Sequence, residues 1–270
     1  MKSLIAWIGA SQGFNSIYLA SDSRISWGSN ASSPVWDCGR KLFPSKNYPE
    51  ILGYCGDVLF PSQVLAQIVE HIDAGLFFRV DETPQEKSEK LFSSLKSSFL
   101  SYPIQQPNQV SVIYCTRQNT GKQPIIYIWN ILWKSGTWEM VLLPSLPHKS
   151  GLLIATGSGE ETIKLFYDKW KKSEIGNTSR SVFSAFCDAL KSGEDYKTGG
   201  TPQLVGLYRE GAAKSFGIVF NNERYLFGLP VNLDAEWAKV EWRNELFERC
   251  NPENRIILEG AQRHARPTNI

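Results

Sequence analysis

The stretch Ile17-Tyr18-Leu19-Ala20-Ser21-Asp22-Ser23-Arg24 bears most directly on the fold of this chain. Its first half is apolar or aromatic and follows turn-forming residues at 11–15, a pattern typical of a short strand. Its second half is polar and ends that strand. Leu4 to Ala10 is another short apolar run just upstream. The beginning of the chain therefore predicts two strands joined by a turn.

Blocks of strands and helices alternate along the following sequence. A short strand is predicted at 51–56. Ser62 is then predicted to cap a helix whose apolar face extends to Ile72, and Thr83-Pro84-Gln85-Glu86 has the form of a capping box with proline at the first helical position. Later strands are predicted at 110–116, 125–134, 138–143, 152–155, 204–208, 215–220 and 224–227, with helices around 163–170 and 182–190. This order fits an α+β fold in which two antiparallel sheets carry a helix pair on each outer face, a four-layer α-β-β-α sandwich.

The C-terminal part, residues 229–270, is predicted to be an extension of the domain formed by residues 1–228. A helix is expected from about Ala235 to Phe247, followed by a polar tail. Its apolar face would pack on a neighbouring subunit or on the outer helices of the domain. The residues of this face are Trp237, Val240, Trp242 and Phe247.

Composition excludes several classes of function. The net charge of +2 gives no support for nucleic-acid binding. The apolar run at the start is too short for a signal peptide, and no run approaches the ~20 residues of a membrane span. The five cysteines are scattered without a C-x-x-C pair, and none of the three histidines lies in a recognisable motif. We therefore expect no metal, no cofactor, no nucleic-acid partner and no membrane partner, and a cytoplasmic location.

Five short motifs follow one another in a particular order. Taken singly, an Asp-Ser-Arg motif is typical of a turn, a lysine such as Lys41 of a strand edge, and a Gly-Gly pair of a capped turn. Their order along the chain favours a shared site. The motifs are Ser21-Asp22-Ser23-Arg24, Arg40-Lys41-Leu42-Phe43, Gly53-Tyr54-Cys55-Gly56-Asp57, Gly157-Ser158-Gly159 and Asp195-Tyr196-Lys197-Thr198-Gly199-Gly200.

In this order the motifs resemble those of proteasome β-subunits and their bacterial relatives, the HslV-type and Anbu-type peptidases. The resemblance extends from about residue 3 to about residue 228 and includes the predicted order of strands and helices. It implies the N-terminal-nucleophile (Ntn) hydrolase fold. It also implies a homo-oligomeric ring, peptide or unfolded-protein substrates and an ATP-dependent unfoldase partner.

The resemblance also implies a set of catalytic roles. Lys41 would lower the proton affinity of the nucleophile, and Asp22 would hold Lys41 by a charge-assisted hydrogen bond. The backbone N–H of Gly56 would face the developing oxyanion. Hydrogen-bonded support around the N-terminal residue would come from Ser158, Asp195 and Thr198. Arg24 would support the loop next to the substrate, and Cys55 is either a small core residue or one that shapes a substrate pocket.

The nucleophile departs from the family pattern. The family has a threonine at the start of the first strand, whereas Ser3 is the hydroxyl residue available here. A serine can do the same chemistry if Met1-Lys2 is removed, which would need autolysis at the Lys2–Ser3 bond. Counting back from Asp22 reaches Ser3 if the turn at 11–16 is a few residues longer than usual. Otherwise Ser3 is an ordinary serine at a strand start.

Three functions remain open at this point. The first is a serine variant of the threonine-type endopeptidases, with Ser3 as nucleophile assisted by Lys41 and Asp22. The second is a catalytically silent, proteasome-like assembly subunit in which the lysine and the aspartate form a structural ion pair. The third is an acylase or amidohydrolase of the wider Ntn superfamily that acts on a small amide.

Overall fold

The chain folds as a mixed structure of antiparallel sheets and helices. The computed structural model describes residues 3–10, 14–28, 30–103, 109–119, 124–144, 149–232, 236, 239–263 and 266–267. These residues contain fifteen strands and four α-helices. None of the described helices is long and apolar enough to cross a bilayer.

The larger sheet has eight strands. Its strands are β1 Ser3–Ala10, β2 Phe14–Ser21, β10 Gly151–Gly157, β11 Gln203–Tyr208, β12 Lys214–Phe220, β13 Glu223–Leu226, β14 Leu229–Pro230 and β15 Glu241–Asn244. The pairing of β1 with β2 aligns Leu4 with Ser21. Seven of the strands follow one another across the sheet as antiparallel neighbours, in the order β10-β1-β2-β11-β12-β13-β14. The eighth, β15, pairs with β12 in parallel.

The smaller sheet has five antiparallel strands in the order in which they occur in the chain. A separate two-stranded ribbon precedes it. The strands of the sheet are β5 Leu42–Pro44, β6 Glu50–Gly56, β7 Gln109–Gln118, β8 Ile125–Lys134 and β9 Thr137–Leu142, and those of the ribbon are β3 Ile25–Ser26 and β4 Val35–Trp36.

Four helices lie between the strand blocks: α1 Leu59–Asp73, α2 Pro84–Leu100, α3 Glu160–Lys171 and α4 Ser179–Ser192. The capping box predicted for α2 is confirmed, because Thr83 accepts from the backbone of Glu86 and the Glu86 side chain accepts from the backbone of Thr83. Ser62 was the wrong choice of cap for α1. The helix begins a turn earlier, and Ser62 bonds to the carbonyl of Leu59 within it.

Three large apolar clusters relate the helices to the sheets. One lies between the two sheets and contains Leu4, Leu19 and Ile51 among others. The second joins the other face of the smaller sheet to α1 and α2, and the third joins the other face of the larger sheet to α3 and α4. Side chains alternate across a strand, so each sheet buries both of its faces.

The predicted helix over about 235–247 is wrong where the structure describes it. Glu241–Asn244 is β15, which pairs with β12, and Phe247 packs against Trp7 and Tyr18 of the larger sheet. The chain after residue 240 thus adds a strand to the larger sheet, and Phe247 packs on the aromatic side chains of that sheet. Trp237 lies outside the described residues.

Candidate active site

The first residue of β1 lies beside the residue that follows β2. The backbone N–H of Ser3 donates to Asp22 Oδ1 at 3.0 Å, and the backbone N–H of Asp22 donates to the carbonyl of Ser3 at 3.3 Å. Ser21 Oγ donates to the same carbonyl at 3.0 Å. Antiparallel pairing of β1 with β2 produces this proximity, although the two residues are nineteen positions apart.

The Asp22 carboxylate accepts four hydrogen bonds in a fully buried position. Oδ1 accepts from Ser3 N and from the ammonium of Lys41. Oδ2 accepts from the backbone N–H groups of Arg24 at 3.2 Å and Gly199 at 3.1 Å. Donors to both oxygens fix the orientation of the carboxylate.

Lys41 lies immediately before β5 and has no exposed surface. Burial lowers the pKa of its ammonium below the ordinary value, and the charge and hydrogen bond of Asp22 oppose that shift. Gln203 holds the backbone on either side, since its Oε1 accepts from Lys41 N at 3.1 Å and its Nε2 donates to the carbonyls of Asp22 and Gly39. A buried lysine without its carboxylate would be an uncompensated charge, so the pair acts as one unit.

The Ser3 hydroxyl begins a second chain of hydrogen bonds. Ser3 Oγ lies 2.7 Å from Thr198 Oγ1, and Thr198 Oγ1 lies 2.7 Å from Asp195 Oδ2. Asp195 Oδ2 also accepts from Ser158 Oγ at 2.6 Å. Because the Thr198 hydroxyl has one proton and gives it to Asp195, the Ser3 hydroxyl donates to Thr198. The geometry thus ties Ser3 to all three of the predicted supporting residues.

Arg24 braces the loop that carries Thr198. Its guanidinium makes two bonds to the carboxylate of Asp37, at 2.7 and 2.9 Å, and a third to the carbonyl of Tyr196 at 3.1 Å. Its backbone N–H also donates to the carbonyl of Gly199. The side chain therefore supports the site from outside rather than presenting free donors to a substrate.

Gly56 and Cys55 share none of the hydrogen bonds of this network among the described residues. Gly56 ends β6 with φ +101°, and a Cβ there would lie 2.2 Å from the carbonyl oxygen of Gln109. None of the hydrogen bonds of the described residues joins Gly56 to Ser3. Cys55 is buried in the apolar cluster between the sheets, with Sγ 3.6 Å from Thr156 Oγ1, and burial raises the pKa of its thiol to about 11. Of the two predicted roles for Cys55, the core residue is the one that this position favours.

Two further residues of the site were given no role from the sequence: Gln203 lies outside the five motifs, and Gly159 is the last residue of the Gly157-Ser158-Gly159 motif. Gln203 is a buried polar residue at the start of an apolar strand, and such a residue could have been flagged for that reason alone. Gly159 lies next to the candidate nucleophile, because a Cβ there would be 2.3 Å from Ser3 Oγ. No cluster of three or more potential metal-ligating side chains occurs within the ranges that the structure describes.

The comparisons with known proteins find similarity to solved structures, and that similarity is distant. No protein-family model matches the chain, and no curated protein matches it either. The chain is similar to the crystal structure of eukaryotic HslV from Trypanosoma brucei, with a TM-score of 0.47 and 13% sequence identity. The match covers 76% of this chain and 99% of that chain. A likeness this distant transfers no residue roles, which depend on the contacts described above.

Replacing Asp22 by asparagine is expected to lower the free energy of unfolding by ~3–5 kcal/mol, because the Lys41 ammonium would stay buried without a counter-charge. Urea unfolding followed by circular dichroism measures the change. Asp81→Asn is the matched control, since the Asp81 side chain is 80% exposed and its loss should cost less than about 0.5 kcal/mol. A cost for Asp22→Asn no larger than that of the control would show that the ion pair is not buried in solution.

The pH dependence of Asp22→Asn gives a second check. Burial already lowers the pKa of Lys41, and loss of Asp22 removes the group that opposes this shift. The folded variant then binds fewer protons than the unfolded chain between the two pKa values of Lys41, so its stability rises with pH over that interval. The destabilisation relative to wild type should therefore be smaller at about pH 9 than at about pH 7.

Proposed function

We propose that this chain is a proteasome-like peptidase of the Ntn-hydrolase class, with Ser3 as nucleophile once Met1-Lys2 has been removed. The same proposal assigns it the four-layer α-β-β-α sandwich of that class. Three apolar clusters support the layering, one between the sheets and one under each helix pair. The order of the five sequence motifs supports the class.

One observation carries the catalytic part of the proposal. The backbone nitrogen and the hydroxyl of Ser3 are each held by a separate network, the nitrogen by Asp22 and the hydroxyl by Thr198. A residue that must be base and nucleophile at once needs both of its groups oriented independently. An ordinary serine at a strand start has no such requirement.

The chemistry follows from these contacts. In a chain that begins at Ser3, the free α-amine accepts the proton of Oγ through a water, and Oγ forms a bond to the carbonyl carbon of the scissile amide. The Gly56 N–H is assigned to the resulting oxyanion. The amine product leaves with the proton held by the α-ammonium, and water then hydrolyses the Ser3 ester. The Lys41 ammonium, held by Asp22, favours the anionic forms along this path.

Intact mass and active-site labelling test the proposal directly. Purified protein is expected to contain a species that begins at Ser3, and that species should gain the mass of a β-lactone or epoxyketone probe. Peptide mapping should then locate the probe at Ser3. A chain that keeps Met1-Lys2 under all conditions and takes up no probe would contradict the proposal.

A catalytically silent, proteasome-like subunit is the alternative, and one observation favours it. In the full-length chain the nitrogen of Ser3 is a peptide amide that donates to Asp22, and Ser3 has no exposed surface. An amide nitrogen is no base, and a buried hydroxyl meets no substrate. If Met1-Lys2 stays in place, Asp22 and Lys41 would serve as a structural ion pair.

Gly159→Ala is expected to lower the rate of hydrolysis by a chain that begins at Ser3 by about 100-fold. The new methyl carbon would lie 2.3 Å from Ser3 Oγ and 2.7 Å from Thr198 Oγ1, so the two hydroxyls must move apart. A displacement of about 1 Å at the reacting atom costs on the order of 100-fold in rate. Initial rates on a fluorogenic peptide measure the loss. Gly136→Ala is the control: nothing lies within 4 Å of its new methyl carbon, and the strain from its φ of +85° falls in the turn between β8 and β9, so the variant controls for a strained glycine replacement that touches no residue of the site. Undiminished turnover by Gly159→Ala would place the reacting hydroxyl elsewhere.

We also propose that the subunit forms a homo-oligomeric ring that receives unfolded polypeptide from an ATP-dependent unfoldase. Exposed aromatic and aliphatic side chains on the β3–β4 ribbon support an association surface, since Trp27 is 58% and Trp36 50% exposed. Sedimentation velocity at micromolar concentration is expected to give a species several times heavier than one chain. A single monomeric boundary would refute the ring.

A further inference from the structure

A cavity of about 570 Å³ lies at the end of β1 opposite to Ser3. Its walls include Gly9 and Ala10 of β1, the first turn of α4 and the C-terminal segment 260–262. Gly9 is six positions after Ser3 in an extended strand, so the cavity is roughly 20 Å from the candidate active site. None of the predicted catalytic residues lines it. The volume is in the range of sites that hold small organic molecules, ~300–1,000 Å³.

Two contacts with α4 hold the C-terminal segment that forms one wall of the cavity. Arg180, on the first turn of α4, donates to the carbonyl of Gln262 at 2.6 Å and faces Glu248 at 3.4 Å. Farther along, Arg266 forms an ion pair with Asp188 of α4. These bonds hold the segment against the helix, so the space between them is a built cavity rather than a gap beneath a loose tail.

The charged side chains that line the cavity carry a net positive charge. Three are arginines and two are glutamates, and one of those glutamates, Glu248, is already paired with Arg180 and with Asn244. Arg243 and Arg249 are opposite each other in an isolated bridge, where two like charges repel. Burial lowers the pKa of Arg180, Glu248 opposes that shift, and Arg243 adds to it. Arg243 is itself paired with Glu241, which does not line the cavity, but its Nε is a buried donor without a partner among the described residues. Arg249 forms none of the ion pairs of the described residues, so its single positive charge and the Arg243 Nε–H suit a monoanion.

The remaining wall is aromatic and apolar. Tyr18 and Tyr208 meet edge to face with their hydroxyls 3.2 Å apart, and Phe247 lies against Tyr18. Ile175 adds an aliphatic side chain. Such surfaces bind the apolar body of a ligand, while a few polar groups orient its charged end. Thr178, Ser179 and Arg180 at the N-terminal end of α4 also line the cavity, and the helix dipole favours a negative charge at that end.

We propose that this cavity binds a small organic monocarboxylate with an aromatic or aliphatic body. Arg243 and Arg249 hold the carboxylate, and the Tyr18, Tyr208 and Phe247 wall holds the body. A phosphate dianion would exceed the positive charge available beside Glu248 and Glu174. The site is independent of whether the chain hydrolyses peptides.

Isothermal titration calorimetry on the full chain tests this site with three probes: 4-phenylbutyrate, its uncharged amide and inorganic phosphate. We expect the carboxylate to bind, the amide to bind at least about tenfold more weakly, and phosphate to give no heat. No binding of the carboxylate, equal binding of the amide, or binding of phosphate alone would each overturn the proposal.

Three variants locate the binding. Arg249→Gln removes a charge from an exposed side chain of the wall, and Ala261→Trp fills the cavity. Each is expected to weaken 4-phenylbutyrate binding by about tenfold or more. Lys96→Gln removes the same charge from an exposed position on α2 and should bind as wild type does. Binding that survives both wall variants, in protein shown by circular dichroism to be folded, would place the carboxylate elsewhere.

Discussion

A chain that begins at Ser3 is expected to hydrolyse small peptide amides, and the same chain with Ser3→Ala is expected to lose more than about 10³-fold of that activity. Removing Met1-Lys2 turns the Ser3 amide into an amine, which supplies the base that the full-length chain lacks. The hydroxyl already donates to Thr198, and the nitrogen already lies 3.0 Å from Asp22. The same cut must also give a substrate access to the Ser3 hydroxyl, which is buried in the chain that keeps Met1-Lys2.

The measurement uses a cleavable N-terminal fusion that leaves Ser3 as the first residue, followed by initial rates on a fluorogenic peptide. Ser62→Ala, made in the same background, is the matched control, because Ser62 bonds to the Leu59 carbonyl on α1 and belongs to no part of the site. Protein that keeps Met1-Lys2 is the second control and should be inactive.

Two results would count against the proposal in different ways. If the chain that begins at Ser3 is folded and assembled but inert, the silent-subunit function is correct. If the full-length chain is active and keeps its activity after Ser3→Ala, the nucleophile lies elsewhere, and Thr198 and Ser158 are the next hydroxyls to test.

The sequence alone predicted most of the helices and strands of the domain, because their signals are local. The Thr83 capping box and the apolar stripe of α4 each lie within one element. The errors arose where a tertiary contact decides the outcome. The apolar residues around Trp242 are spaced as in a helix. In the structure this segment pairs with β12 instead, and a strand's pairing partner cannot be predicted from one short stretch of sequence.

The same distinction applies to the candidate site. The order of the motifs led to Asp22, Lys41, Thr198, Asp195 and Ser158, and the structure brings these residues together around Ser3. Gln203 was missed, and Gly159 was quoted in a motif but given no role, because the importance of both depends on which residues lie next to them in space. A glycine matters here because a Cβ would touch a hydroxyl more than 150 positions away in the chain. No periodicity or spacing carries that information.

Lys41→Met is expected to reduce the turnover of a chain that begins at Ser3 by at least about 100-fold, and to slow any autolysis at Lys2–Ser3 to the same extent. The ammonium is the cation nearest to Asp22, and through Asp22 it is tied to the nitrogen of Ser3. Methionine keeps most of the side-chain volume in a fully buried position, so the variant removes the charge rather than creating a cavity.

The double variant Asp22→Asn/Lys41→Met separates a catalytic lysine from a structural one, because both hypotheses predict the same stability for it and different activities. If the lysine and aspartate are only a structural pair, the double variant Asp22→Asn/Lys41→Met should regain much of the stability that Asp22→Asn loses, because no unpaired charge remains. If the ammonium also acts on the nucleophile, that double variant should be as stable but still inactive. Rates and urea midpoints on the same preparations decide between the two. Full turnover in a folded Lys41→Met variant would remove the lysine from the mechanism.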